Sequence, residues 1–127
     1  MAEAAPIHPI ALVVEDDEMQ RSLISMLLEE SDMTVVECES AEAAVAVLDH
    51  IGATLVLVFT DVRIAGDMDG FALAQIAARR CPKAKVIVTS GADEPDGRMP
   101  RSAVFIQKPW RALDILRAAE HSVAMRH

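Results

Sequence analysis

Short, continuous apolar runs alternate along the chain with stretches whose apolar residues recur at helical spacing. Ile10–Val14 (IALVV) is five apolar residues in a row, too short for a buried helix and typical of a strand covered on both faces. Comparable runs at Met33–Cys38, Thr54–Thr60, Ala84–Thr89 and Ala103–Ile106 predict four more strands. Between them, Met19, Leu23, Met26 and Leu27 repeat at i, i+4, i+7, i+8 and predict a helix buried on that face. Ala44, Val47, Leu48 and Ile51 predict a second helix, with Ser40 upstream as its N-cap. The third spans Gly70–Arg80, with Asp69 at its cap and Pro82 just past its end. The last spans Arg111–Ala124, with Leu113, Leu116, Ala119 and Val123 available for one face. Met26, Met33 and the other methionines read as core filler, whereas Met68, Met99 and Met125 are expected nearer the surface.

Five strands alternating with helices predict an α/β fold, a doubly wound five-stranded parallel sheet with right-handed crossovers. The fourth crossover is the exception. Only Gly91–Ser102 separates the fourth and fifth strands, and Pro95, Gly97 and Pro100 within it oppose a regular helix. A short or irregular connection is expected there. At 127 residues the chain has room for one domain, read as 10–124 with tails at 1–9 and 125–127.

Composition narrows the function. The net charge of −8 repels phosphate backbones and anionic lipid, so neither nucleic acid nor membrane is an expected partner. Cys38 and Cys81 lack metal-ligand spacing, and the N-terminus lacks the charged and apolar regions of a signal peptide. A cytoplasmic protein with two reduced, structural thiols is expected.

In an open α/β sheet, ligands sit beyond the carboxyl ends of the strands. Here the first strand runs into Glu15-Asp16-Asp17-Glu18, the third into Asp61, the fourth into Thr89-Ser90-Gly91, and the fifth into Lys108-Pro109. An acidic cluster alone is ordinarily a helix start favoured by the macrodipole. Acids, a hydroxyl and a lysine arriving together from four strand ends point instead to one site. Clustered carboxylates raise each other's pKa unless a cation compensates, and hard oxygen donors suit Mg²⁺. A carboxylate nucleophile beside Mg²⁺, with lysine and a hydroxyl for phosphate oxygens, describes phosphoryl transfer through an aspartyl phosphate.

The segments VVEDDE, LVFTDVRIAGDMDG, VIVTSG and FIQKPW resemble the motifs of the CheY-like receiver domains of two-component response regulators, in order and over essentially the whole chain. The resemblance implies a flavodoxin-like fold and a phosphoacceptor role for Asp61, with a histidine kinase or histidine phosphotransfer protein as donor. It implies Mg²⁺ held by Asp16 directly, by Glu15 through water, by Asp61, and by the backbone carbonyl of Arg63. Ser90 corresponds to the hydroxyl that meets the phosphoryl group and Lys108 to its lysine. Lys108–Pro109 corresponds to a cis peptide, and Ser90 with Phe105 to the switch pair. Two registers stay open: Asp16-Asp17 for the acidic pair in place of Glu15-Asp16, and Thr89 for the hydroxyl in place of Ser90.

The implied protein is a stand-alone signalling receiver rather than an enzyme acting on a metabolite. Its output is phosphorylation-dependent binding to a downstream protein, as a monomer or as a dimer formed on phosphorylation. The alternative is a non-phosphorylated docking module. A dehalogenase-type hydrolase is disfavoured because Arg63 stands where a second acid is wanted, and a flavin carrier because four acids would repel its phosphate. Ala65 replaces a common proline and predicts a looser loop after Asp61; Phe105 lacks the hydroxyl of a tyrosine. Trp110 is expected to pack at the start of the last helix, and His8, His50, His121 and His127 to lie at the surface.

Overall fold

The computed structural model describes residues 8–91 and 97–124, so Pro95, residues 1–7 and the whole tail at 125–127, with Met125 and His127, lie outside the described residues. Five strands form: β1 (Ile10–Val14), β2 (Thr34–Cys38), β3 (Leu55–Asp61), β4 (Lys85–Ser90) and β5 (Val104–Gln107). Four helices accompany them: α1 (Glu18–Glu30), α2 (Ala41–Ile51), α3 (Gly70–Arg80) and α4 (Ala112–Ala124). The strands make one parallel sheet in the order β2-β1-β3-β4-β5. The winding reverses between β1 and β3, so Glu15 and Asp61 emerge side by side at the switch point where such sheets bind ligands.

Alternation along the strands splits the core in two. Leu12, Val14, Val58, Val86 and Val88 meet the buried faces of α2 and α3 through Leu48, Phe71 and Leu73. Ala11, Val13, Phe59 and Ile87 meet α1 and α4 through Ile24, Leu28 and Ile115. The caps form as the side chains dictate. Ser40 Oγ accepts from Ala43 N–H at 3.1 Å and Asp69 Oδ1 from Ala72 N–H at 2.9 Å, as expected, and Asp17 Oδ1 caps α1 through Gln20 N–H at 3.0 Å.

Two helix faces differ from the expected ones. On α1 the buried residues are Ile24, Ser25 and Leu28, while Met19 is 84% exposed and Leu23 and Met26 stand out as well. On α4 the buried residues are Ile115, Ala118, Ala119 and Ser122, and Leu113 is exposed. Both helices carry more apolar residues than one stripe needs, so periodicity admits two faces and the sheet contact selects between them. Met19 and Met26 are therefore not core filler. Met33 is buried, and Met68 and Met99 pack partly against the core instead of lying free at the surface. Trp110 packs against the α1/α4 cluster, and His8, His50 and His121 are exposed.

Between β4 and β5 the described residues form turns and bends with no helix, the irregular crossover the prolines and glycine predict. The loop after β3 is not loose. Ala65 bridges Ser40, and Asp67 N–H donates to Glu42 Oε2 at 3.3 Å, tying the loop to the start of α2. Gly70 opens α3 directly against the end of β3. Its N–H donates to Val62 O at 2.7 Å, and a side chain there would collide with the backbone of Asp61 and Val62.

Candidate functional site

Parity assigns the strand-end residues to faces before any distance is measured. Glu15 continues the Val13 face, Asp61 the Phe59 face, Thr89 the Ile87 face and Lys108 the Ile106 face, all on the α1/α4 side. Ser90 and Phe105 have the opposite parity, that of Val88 and the α2/α3 side. Three of the four sheet-edge groups are withdrawn from water: Glu15 is 2% exposed, Asp61 7% and Thr89 fully buried.

Lys108 Nζ donates to Asp61 Oδ2 at 2.7 Å, and Arg63 N–H donates to Asp61 Oδ1 at 3.3 Å. Glu15 Oε1 accepts from Asp17 N–H at 3.3 Å, but its Oε2 is buried with no hydrogen-bond partner. Burial, and then the neighbouring Asp61 carboxylate, push the Glu15 carboxyl from its ordinary 4.5 up to about 7, against the opposing pull of Lys108. Asp16 is exposed beside it, while Asp17 is spent on the α1 cap. The Lys108–Pro109 peptide is cis.

On β4 both candidate hydroxyls are buried. Thr89 is the residue paired with Asp61 in the ladder, and its Oγ1 has no hydrogen-bond partner. Ser90 O accepts from Lys108 N–H at 2.9 Å, which ties the end of β4 to the end of β5. Phe105 is half-buried, paired with Val88.

Arg21 is a site-supporting residue that the periodic reading passes over. Its Nη1 donates to Glu15 O at 2.9 Å, and its Nε pairs with Glu37 Oε1 at 3.1 Å. A cation that fixes the Glu15 backbone from the next helix leaves no motif in the chain; the polar position inside the apolar α1 pattern is its only trace. Beside Lys108, an open cleft of about 520 Å³ is lined by Gln20, Leu23, Gly91, Lys108, Pro109 and Trp110, which gives the exposed side of α1 a place at the site's mouth.

The donors present fit a magnesium ion. Glu15 offers a buried, orphaned oxygen next to the Asp61 carboxylate, and Asp16 stands exposed at the same edge. Among the described residues no three acid, histidine or cysteine side chains gather into a complete cage. Backbone carbonyl and water would complete the shell, the usual arrangement for Mg²⁺.

A doubly wound sheet with an acid pair, a buried aspartate and its lysine at the switch point defines a class, and known proteins agree. The response regulator receiver domain family matches residues 11–120. The chain belongs to this family. It is 35% identical over 115 residues to the chemotaxis protein CheY of Listeria monocytogenes, covering 86% of this chain and 93% of CheY. It is 30% identical over 129 residues to the transcriptional regulatory protein AruR of Pseudomonas aeruginosa, covering 91% of this chain but 52% of AruR. The chain thus spans about half of AruR and nearly all of CheY. The fold matches the crystal structure of a response regulator receiver protein from Sinorhizobium medicae with a TM-score of 0.85 at 20% identity, covering 94% of this chain and 98% of that one. Receiver domains are signalling modules of two-component systems. Among the described residues no helix is long and apolar enough to cross a membrane.

Proposed function

We propose that the chain is a phosphoacceptor: Asp61 takes a phosphoryl group from a histidine kinase or a histidine phosphotransfer protein, and the phosphorylated form binds a downstream protein. The observation that carries this reading is the Lys108–Asp61 contact at 2.7 Å beside the buried, unpartnered Oε2 of Glu15. In the transfer an Asp61 carboxylate oxygen bonds to phosphorus, the phosphorus–nitrogen bond of the phosphohistidine breaks, and the departing imidazole takes up a proton.

Each residue has a defined task. Lys108 balances the charge that the phosphoryl group adds, and its ammonium moves from carboxylate to phosphate oxygen. Arg63 N–H orients the second Asp61 oxygen. Thr89 has a stronger claim than Ser90 to be the hydroxyl that donates to the phosphoryl group, because it pairs with Asp61 and its oxygen is unpartnered. Ser90 and Phe105, on the opposite face, carry the displacement of the strand end outward. Asp16, Glu15, Asp61 and the carbonyl of Arg63 would hold Mg²⁺, which when bound neutralises carboxylate and phosphoryl charge.

The test is intact-mass spectrometry after incubation with Mg²⁺ and acetyl phosphate, wild type beside Asp61→Asn. One phosphoryl adduct is expected on the wild type, dependent on Mg²⁺ and absent from the variant. If the wild type gains no adduct and Trp110 fluorescence is also silent to beryllofluoride, the chain is a docking module that works without phosphate.

A further inference from the structure

Among the described residues, the crossover between β4 and β5 is fastened to α3 at Arg98. Arg98 Nη1 pairs with Asp69 Oδ2 at 2.8 Å, and its guanidinium lies 4.8 Å above the centre of the Phe71 ring. Gln75 Nε2, one turn further along α3, donates to the carbonyl of Arg98 at 2.5 Å. Met99 and Ala103 then settle on the α2/α3 core. Residues 97–103 thus form a strap pinned at Arg98.

The pin sits on the element that touches the phosphoacceptor. Asp69 caps α3 with its other oxygen, accepting from Ala72 N–H at 2.9 Å. The next residue, Gly70, is so close to the backbone of Asp61 and Val62 that it has no room for a side chain. Residues 97–103 rejoin the sheet at Val104, one residue before Phe105, and β5 is bonded to the end of β4 through Lys108 N–H and Ser90 O.

We infer that the Arg98–Asp69 pair is a latch that holds the fourth crossover on α3 in the unphosphorylated chain and works against the phosphorylated state. The inference rests on the phosphoacceptor reading. A hydroxyl drawn toward a phosphoryl group on Asp61 shifts the end of β4, the β5 strand paired with it, and so the end of the strap at Val104. Arg98 resists, held by charge, by the ring of Phe71 and by Gln75. Coupling of this kind is reciprocal: if filling the Asp61 site loosens the latch, breaking the latch must favour filling the site.

Two variants separate the latch from the integrity of α3. Asp69→Asn keeps a good N-cap while removing the charge that holds Arg98. Arg98→Gln removes the cation and leaves the cap intact. Beryllofluoride with Mg²⁺, followed by Trp110 fluorescence, serves as the probe of the filled state. Each variant is expected to bind it about two- to fivefold more tightly than wild type, the scale of one exposed ion pair. The double variant should gain no more than either single one, because both remove the same contact. In the wild type, beryllofluoride should speed amide hydrogen exchange at residues 98–103. Wild-type binding with unchanged affinity in both variants, or additive gains in the double variant, would overturn the latch and leave the phosphoacceptor reading standing. A wild type that takes neither beryllofluoride nor a phosphoryl group would overturn both.

Discussion

Glu15 and Asp61 share one cation. The Lys108 ammonium donates to Asp61, and its charge also acts on Glu15, where it partly offsets burial and the neighbouring carboxylate. Replacing Lys108 by Met keeps the aliphatic stem and removes the charge. In Lys108→Met without divalent ions, the Glu15 carboxyl is expected to titrate above the value of about 7 that it has beside the lysine. Carbon-detected NMR of the Glu15 carboxyl measures this directly; an unchanged midpoint would mean that Lys108 serves Asp61 only. Glu15 and Asp61 were legible in the chain because an acid immediately after a buried strand has few other reasons to be there. The two registers for the hydroxyl stayed open there, since Thr89 and Ser90 are adjacent and differ only in the face they take, which the ladder pairing of Thr89 with Asp61 sets.

At the scale of elements, the strands extend past the apolar runs that announce them. β3 includes Asp61 and β4 includes Ser90, because the ladder pairs backbones and continues through Asp61–Thr89 and Ser90–Gln107 whatever the side chains are. Met33, conversely, belongs to the end of α1: its N–H donates to Leu28 O at 3.2 Å, and β2 begins at Thr34. The helix faces were the least legible feature. α1 offers Met19, Leu23 and Met26 on one stripe and Ile24 and Leu28 on another, and nothing local distinguishes them. The outcome makes a sharp prediction. Met26→Lys should change stability by no more than about 0.5 kcal/mol, as a surface substitution does. Leu28→Ala should cost about 2–5 kcal/mol through lost burial and the cavity it leaves. Urea denaturation of both variants decides it, and a Met26→Lys cost comparable to that of Leu28→Ala would place the wrong stripe inside.

For the whole molecule, the site is a cost that the rest of the fold sustains. A chain with a net charge of −8 gathers carboxylates at one sheet edge and buries one of them without a full set of partners. Glu15 holds its proton more tightly folded than unfolded, so its contribution to stability is complete below about 4.5 and is lost as pH rises through about 7. The shift amounts to about 3 kcal/mol between those limits. Glu15→Gln fixes this position in a neutral form of nearly the same shape. In EDTA, the variant should match the wild type at pH 4 and exceed its unfolding free energy by up to about 3 kcal/mol at pH 8. Added Mg²⁺ should raise the wild type at pH 8, where ionised Glu15 is ready to help hold the ion, and raise the variant less. Parallel stability curves for the two proteins from pH 5 to pH 8 would show that the Glu15 proton is not what the fold responds to. Divergent curves that Mg²⁺ draws together would mean that the fold, at neutral pH, is under electrostatic strain at the edge that holds Glu15 and Asp61, and that a cation there relieves it.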